Sequence, residues 1–564
     1  MGGRLRRGHL FMTSDMTPST IPGEKTDPRP SPRIGRSELA AFVLLAVAIA
    51  ILFWTAPKDG DFWWSDAPRH ALDGVFVQDL VHHHPWHNLR QYAMDYYLQY
   101  PALSIAFYPP LFPVVEAVFF QIFGVSQSTA LLCIAFFYLL AAWGGYLLAR
   151  RWMTPVAAFA CALLFVGLPE VALWGRQVML EIPAVALMLW SAWVFTGYLE
   201  RPTASKWYWS MALLLGATYT KQPAAFLAVV YAVALYLKFG PAILRERRIW
   251  LGAAAFAIGL IPLGVMSLKF GAVNVNSVVG GQWTSYPATT LAGWLFYIQS
   301  LPSQVTWPIA LLAGGELLAL LWTRGRRRNS LVLSWLIVGY IFFSLVALKE
   351  PRHTVLILIP VAILAVSLLD RLPRHYAQAA MVTAAVATFI TTAWGRPVPR
   401  VSGYREAVQY VAQHAPANGV VLFYGYRDGS FVFNVRSAAA RQDLSVLRAD
   451  KILVRVVQRR DLGVREKPFS EAETMDLLSR VNARYIVAQP GFWSDLKVMR
   501  QFEKLLETAH FEKRRSIPVA SNAKIPESRL DVYENMDVGA TGNRSVRLEL
   551  PMIGTWVEGS LGKP

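Results

Sequence analysis

Eleven apolar runs dominate the first 394 residues, and they restrict the possible folds more than any motif does. They lie near 39–56, 127–149, 154–170, 178–199, 207–220, 222–239, 250–268, 303–322, 330–348, 354–369 and 377–394. A membrane-spanning helix needs about 20 mostly apolar residues, fewer where protein covers an end. Of the 564 residues, 54% are hydrophobic and only 16% charged, whereas soluble chains carry about a quarter charged residues. So few charges cannot cover a water-soluble globule of this size, and the surplus apolar surface must face lipid. Cys133 and Cys161, the only cysteines, both sit inside apolar runs. That argues against a disulfide scaffold, an iron–sulfur cluster or a Cys-based zinc site.

Lys and Arg between the runs set an orientation, because basic segments stay cytoplasmic. The N-terminal tail holds Arg4, Arg6, Arg7, Lys25, Arg29, Arg33 and Arg36 and is placed inside. With alternating spans, the inside loops then receive Arg150–Arg151, Arg201 with Lys206, Arg245–Arg247–Arg248, Arg324–Arg326–Arg327–Arg328, and Arg371 with Arg374. The net charge of +18 thus reads as a topology signal that also attracts anionic lipid, not as a nucleic-acid site. Residues 109–124 are apolar but contain Glu116 and Gln121. Counting them as a span would send Arg150–Arg151 outside, so they read as an amphipathic helix at the outer surface.

The expected class is a polytopic α-helical membrane protein of about eleven spans with a C-terminal soluble α/β domain. Residues 1–38 form a disordered cytoplasmic tail and 39–394 the membrane module, with 57–126 as one large outer loop. Residues 395–564 form the extracytoplasmic domain. The 39–56 run is a retained anchor, because Trp54, Pro57, Lys58 and Asp59 follow it instead of a small-residue cleavage site. After 395, helix-like stretches at 403–414, 469–481 and 494–508 interleave with strand-like stretches at 419–425, 483–489 and 528–534. The GYRDGS segment at 425–430 lacks the Lys-Ser/Thr of a phosphate-cradling loop.

This topology gathers ionisable residues on the outer face. Asp59, Asp61, Asp66, Arg69 and His70 open the large loop, and Glu181 lies at a span end near Arg176. Lys221 occupies one tight outer turn, and Lys349, Glu350, Arg352 and His353 another. Charges at span ends tend to mark function. A lipid-linked phosphosugar matches such a site: cations neutralise the departing phosphate, and a carboxylate takes the proton of an acceptor hydroxyl. Each residue also has a plainer role. Asp66 can be a helix cap, Asp59 and Asp61 solvated loop acids, and Glu181 a structural partner of Arg176. Lys221 can snorkel to headgroups, and His353 can serve only as a hydrogen-bond partner. His82, His83, His84 and His87 form an irregular cluster without the ordered spacing of a metal site.

The stretches WWSDAPRHALDGVFVQDL (63–80) and YPPLFPVVEAVFFQIFG (108–124), with the outer turns around 181, 221 and 352, resemble the GT-C membrane glycosyltransferases. Most similar in pattern is the protein O-mannosyltransferase-like and aminoarabinose-transferase-like group, including its RgtA-like bacterial branch. The resemblance covers roughly residues 38–395. It implies a catalytic role for Asp66 and a second site carboxylate at Glu181. Lys221, Arg352 and His353 would bind the lipid phosphate and sugar, with Arg69, His70 and Tyr108 beside them. Two positions depart from the family pattern. Ala67 follows Asp66 where many relatives have Glu, and Phe107 and Tyr108 replace a charged pair, which removes potential metal or sugar contacts.

The implied activity is inverting transfer of a sugar from a polyprenyl-phosphate donor to an acceptor hydroxyl on a glycan, lipid or protein. It would act at the outer face of the cytoplasmic membrane and needs no cofactor; a divalent metal is compatible with it. A flippase of lipid-linked sugars, or a non-catalytic cell-envelope scaffold, are the alternatives. Transporters place charges near the midplane between repeats, a pattern this sequence lacks.

Overall fold

The computed structural model describes residues 35–58, 60–271, 286–322, 330–456, 460, 463–538 and 544–561. Nearly all of the N-terminal tail, Asp59 and the Arg324–Arg328 cluster lie outside the described residues. Among those described, seven helices are long and apolar enough to cross a membrane. They are Arg36–Trp54, Gln127–Ala149, Glu181–Glu200, Gln222–Arg245, Arg247–Phe270, Pro351–Leu369 and Arg374–Gly395. Shorter apolar helices span Leu111–Phe123, Pro155–Gly167, Trp307–Leu320 and Ser330–Leu345, and Ala204–Thr218 is helical too. Local sequence explains several starts. Ser126 Oγ accepts from Thr129 N, and Thr154 Oγ1 accepts from Ala157 N with Pro155 in the first turn. Leu39, Val43, Leu44 and Val47 on the first helix, and Ile258, Ile261, Val265 and Leu268 on Arg247–Phe270, are each half exposed or more. Apolar stripes of that size belong against lipid.

Two runs fold differently from expectation. The 154–170 run ends as a helix at Gly167, and Pro169 starts a separate turn, Pro169–Trp174. The 303–322 run breaks at Thr306, which adopts φ +77°, between helices Leu291–Val305 and Trp307–Trp322. Pro302 and Pro308 flank that break, and neither can donate a backbone N–H to continue a helix. Residues 111–123 are helical as expected, and the helix packs Phe112, Glu116 and Phe120 inward.

The basic helix ends do cluster. Arg150 pairs with Glu38 at 3.6 Å and Arg151 with Glu200 at 2.9 Å, while Lys206 Nζ donates to Gly197 O at 2.9 Å. Glu181, Lys221 and Arg352 lie at the opposite ends of their helices.

The C-terminal region is built on a five-stranded mixed sheet. Its strands are β1 (Val420–Tyr424), β2 (Ser445–Arg448), β3 (Ala483–Ala488), β4 (Phe511–Pro518) and β5 (Arg529–Asn535), in the order β2-β1-β3-β5-β4. β1 runs parallel to β2 and β3, and β5 pairs antiparallel with β3 and β4. Helices Tyr404–His414, Glu471–Arg480 and Lys497–Leu505 fall on the three helix-like stretches.

The loop that follows the first helix is bolted to this region. Asp61, expected to be solvated, is instead buried. It accepts from Asn434 Nδ2 at 2.5 Å and Tyr404 N at 2.9 Å, and its own N–H donates to Val401 O at 2.7 Å. Burial raises its carboxyl pKa to about 6. Asp79 pairs with Arg436 at 2.5 Å and accepts from Tyr96 OH at 2.9 Å. Helix Asp428–Ser437 approaches so closely that a Cβ on Gly429 would sit 2.8 Å from Pro68 Cγ. Asp61→Ala strands the Asn434 and Tyr404 donors, so it should cost about 1–3 kcal/mol. A lowered thermal midpoint of the detergent-solubilised chain would register that loss.

Candidate active site

Two cations, Arg352 with Asp66 and Glu350, and Lys221 with Glu181, organise the end of the bundle opposite the basic loops. Asp66 precedes helix Ala67–His83 as its N-cap without a side-chain capping bond, so its carboxylate is left for other partners. Arg352 Nη1 approaches Asp66 Oδ2 at 3.1 Å, and Arg352 Nε approaches Glu350 Oε2 at 2.5 Å. The guanidinium lies 5.1 Å from the Trp64 ring centre and 5.5 Å from that of Trp174, and Trp64 Nε1 donates to Asp66 Oδ2 at 3.3 Å. Two aromatic faces thus hold the cation in place. In the second pair, Lys221 Nζ donates to Glu181 Oε1 at 2.8 Å. Glu181 is fully buried in the first turn of its helix, where the unpaired N–H groups favour a carboxylate. Its Oε2 has no hydrogen-bond partner.

His70 joins the pairs. It is buried one turn after Asp66, its ring centre lies 4.4 Å from that of Tyr108, and its Nδ1 is unpartnered. Asp66, Lys221, Glu181 and Arg352 all act on it electrostatically, and burial lowers its pKa to about 4, so it is neutral near pH 7. Asp66 behaves oppositely. Burial opposes its charge, but Arg352, His70 and Arg69 together hold its pKa below the ordinary carboxylate value.

The structure therefore brings together Asp66, Glu181, Lys221, Arg352, His70 and Tyr108, with His353 next to Lys221 and Arg352. Arg69 points elsewhere: its Nη2 pairs with Asp428 Oδ2 at 2.8 Å, and Asp428 also pairs with Arg448 at 2.5 Å. Arg176 is not the partner of Glu181. It is fully buried and donates to Ala172 O, Thr55 Oγ1 and Arg396 O. Lys349 likewise serves the backbone, donating to Ser344 O and Val346 O at 2.7 Å each. Among the described residues no three His, Cys, Asp or Glu side chains converge as a metal-ligand set, and His83 Nδ1 instead meets Tyr92 OH at 2.9 Å. Asp66 and Glu181 each already face a cation.

Sequence reasoning missed several neighbours. Nothing local to Trp64 or Trp174 in the sequence shows that they face one arginine. Asp73 and Glu116 form a buried acidic pair. Ser104 donates from N and Oγ to Asp73, both at 2.8 Å, while both Glu116 oxygens are unpartnered. A Cβ on Gly74 would lie 2.4 Å from Glu116 Oε2, so that glycine makes the room. The sequence hint was Glu116 inside an apolar stretch.

Comparison with known proteins agrees with this architecture. Residues 108–265 match the model of the dolichyl-phosphate-mannose-protein mannosyltransferase family. No curated protein matches the chain. ArnT from Cupriavidus metallidurans bound to undecaprenyl phosphate superposes with a TM-score of 0.61 at 16% identity, covering 89% of this chain and 99% of that one. Its apo structure gives 0.60 at 16% identity, with 89% and 100% covered. The archaeal oligosaccharyltransferase AglB from Archaeoglobus fulgidus, in complex with an inhibitory peptide and a dolichol-phosphate, gives 0.50 at 13% identity, with 80% and 69% covered. The fold is that of the GT-C membrane glycosyltransferases.

Two measurements test this geometry. Lys221→Met leaves Glu181 buried without a counter-charge and should cost about 3–5 kcal/mol, whereas adding Glu181→Gln should recover most of that. Thermal midpoints of the two variants check this. Burial raises the Asp73 pKa to about 7. Its stabilising contribution is therefore complete below about pH 4 and is lost as pH rises through about 7. Asp73→Asn should flatten the fall in thermal midpoint across that window.

Proposed function

We propose that this chain is a glycosyltransferase that moves a sugar from a polyprenyl-phosphate donor to an acceptor hydroxyl with inversion. The observation that carries this reading is the pairing of two carboxylates with two cations from distant segments at one end of the bundle. Arg352 and Lys221 suit a phosphate, one by a bidentate grip and the other as a point charge. In the absence of a donor, Asp66 and Glu181 take the positions of its phosphate oxygens. An arriving lipid phosphate competes for the cations and draws Arg352 away from Asp66.

That exchange has a chemical consequence. Arg352 is the strongest charge lowering the Asp66 pKa, so its withdrawal makes Asp66 a stronger base when the donor is seated. The acceptor oxygen then forms its bond to the anomeric carbon as its proton passes to Asp66. The bond from that carbon to the phosphate oxygen breaks, and the electron pair leaves on the phosphate, held by Lys221 and Arg352. Neutral His70 and Tyr108 shape the space beside the reacting centre, and His353 and Arg69 support the cations and the loop.

The lipid phosphates bound by ArnT and AglB support the donor class, since those proteins share this fold. We further propose eleven spans in the cytoplasmic membrane. The N-terminus would be cytoplasmic and the C-terminal domain on the periplasmic or extracellular side, with a glycan, lipid or protein as acceptor. The test is sugar release from polyprenyl-phosphate donors by the purified chain. Asp66→Asn should lower the rate by about 10²–10⁴-fold while the thermal midpoint stays near that of the parent. Full activity in that variant would remove Asp66 from the mechanism, and binding without turnover by the parent would favour a flippase.

A further inference from the structure

A cavity of about 210 Å³ separates the first outer loop from the C-terminal domain. Four aromatic residues, Phe62, Trp63, Trp64 and Tyr426, line it, together with Arg427 and Glu527. Arg427 Nε meets Glu527 Oε1 at 2.8 Å, and Arg427 Nη1 also donates to the Trp63 carbonyl. Three polar atoms of these wall residues are buried without a hydrogen-bond partner: Trp63 Nε1, Glu527 Oε2, which also faces the Tyr404 hydroxyl, and Arg427 Nε, which meets Glu527 only as an ion pair. Buried donors and acceptors of native proteins nearly always have partners, so their pairing here points to a missing ligand with both a hydroxyl oxygen and a hydroxyl proton to offer.

From these features we infer that the cavity holds one sugar ring of the acceptor. Indole and phenol faces suit the C–H faces of a pyranose. A small shift of either wall side chain lets the Trp63 N–H donate to one hydroxyl and the Glu527 carboxylate accept from another. Size agrees, because pockets for drug-sized ligands run about 300–1,000 Å³ and this one is smaller. It suits a single ring, not a lipid tail. Its position also agrees. Trp64 lines the cavity and donates to Asp66 Oδ2, so a ring held there lies across one indole from the proposed base. Neither Lys221 nor Arg352 lines the cavity, which separates it from the phosphate-binding cations and assigns it to the acceptor. The word acceptor rests on the glycosyltransferase reading; the binding of a sugar ring does not.

Saturation-transfer NMR on the full chain in detergent micelles tests the inference without turnover. The probes are methyl α-D-mannopyranoside, methyl β-D-glucopyranoside and the methyl glycoside of N-acetylglucosamine. At least one should receive saturation at its ring protons. Trp63→Phe keeps the aromatic wall but removes the donor, and Glu527→Gln removes the charge. Each should weaken the signal about fivefold, the scale of one lost hydrogen bond. Asp66→Asn should leave the signal intact even as transfer is lost, which separates this proposal from the mechanism. Silence from all three probes would overturn the assignment. So would an undiminished signal in Trp63→Phe protein that melts like the parent, or displacement of the glycoside by decaprenyl phosphate.

Discussion

Opposite charges that have left water must find each other, and this requirement organises the end of the molecule that holds the proposed site. Glu181 is completely buried at the mouth of its helix, where an unpaired carboxylate would be too costly to keep. Lys221, from a turn forty residues later, supplies the counter-charge. Arg352 does the same for Asp66 across 286 positions of chain. Such pairs add little net stability, since desolvation offsets most of their attraction. What they provide is register: four separate segments reach their positions only when all of them are present. They also keep the cations available, because a carboxylate in contact with a guanidinium can be exchanged for a phosphate at modest cost.

The aromatic sheath around Arg352 complements this arrangement. Trp64 and Trp174 meet edge to face at 5.0 Å, and both present their rings to the guanidinium. The two rings thus keep the guanidinium beside the mouth of the site whichever carboxylate it faces. His70, stripped of water and held neutral, adds bulk and a free ring nitrogen without adding charge.

Much of this was legible in the sequence, and the reason is physical. Apolar run length and the placement of Lys and Arg answer to the bilayer, so helix positions and the gathering of Asp66, Glu181, Lys221 and Arg352 at one end follow from local composition. The α/β pattern after residue 395 was legible for the same kind of reason, through periodicity. Pairing was not. Arg176 sits five residues from Glu181 yet reaches Thr55 and the Arg396 carbonyl, because the turn at 175–180 directs it inward. Asp61 looks like an ordinary loop acid until residues 404 and 434 close over it. Helix Leu291–Val305 escaped notice because Gln299, Ser300, Ser303 and Gln304 dilute its apolar face. In each case the deciding contact comes from far along the chain.

The joint formed by Asp61, Asp79 and Arg69 alters where the molecule divides. In sequence the natural cut falls near residue 395, but in space the loop holding the proposed base is welded to the C-terminal helix Asp428–Ser437 through Asn434, Arg436 and Asp428. The same loop is also held from beneath, where Arg176 donates to Thr55, Gln127 to the Pro57 carbonyl, and Arg352 meets Asp66. A chimera that exchanged only the C-terminal half with a relative would split this unit and disturb the proposed reaction centre. One that carried residues 60–104 along with it would keep those three joints but part His70 from Tyr108 and Asp66 from Arg352.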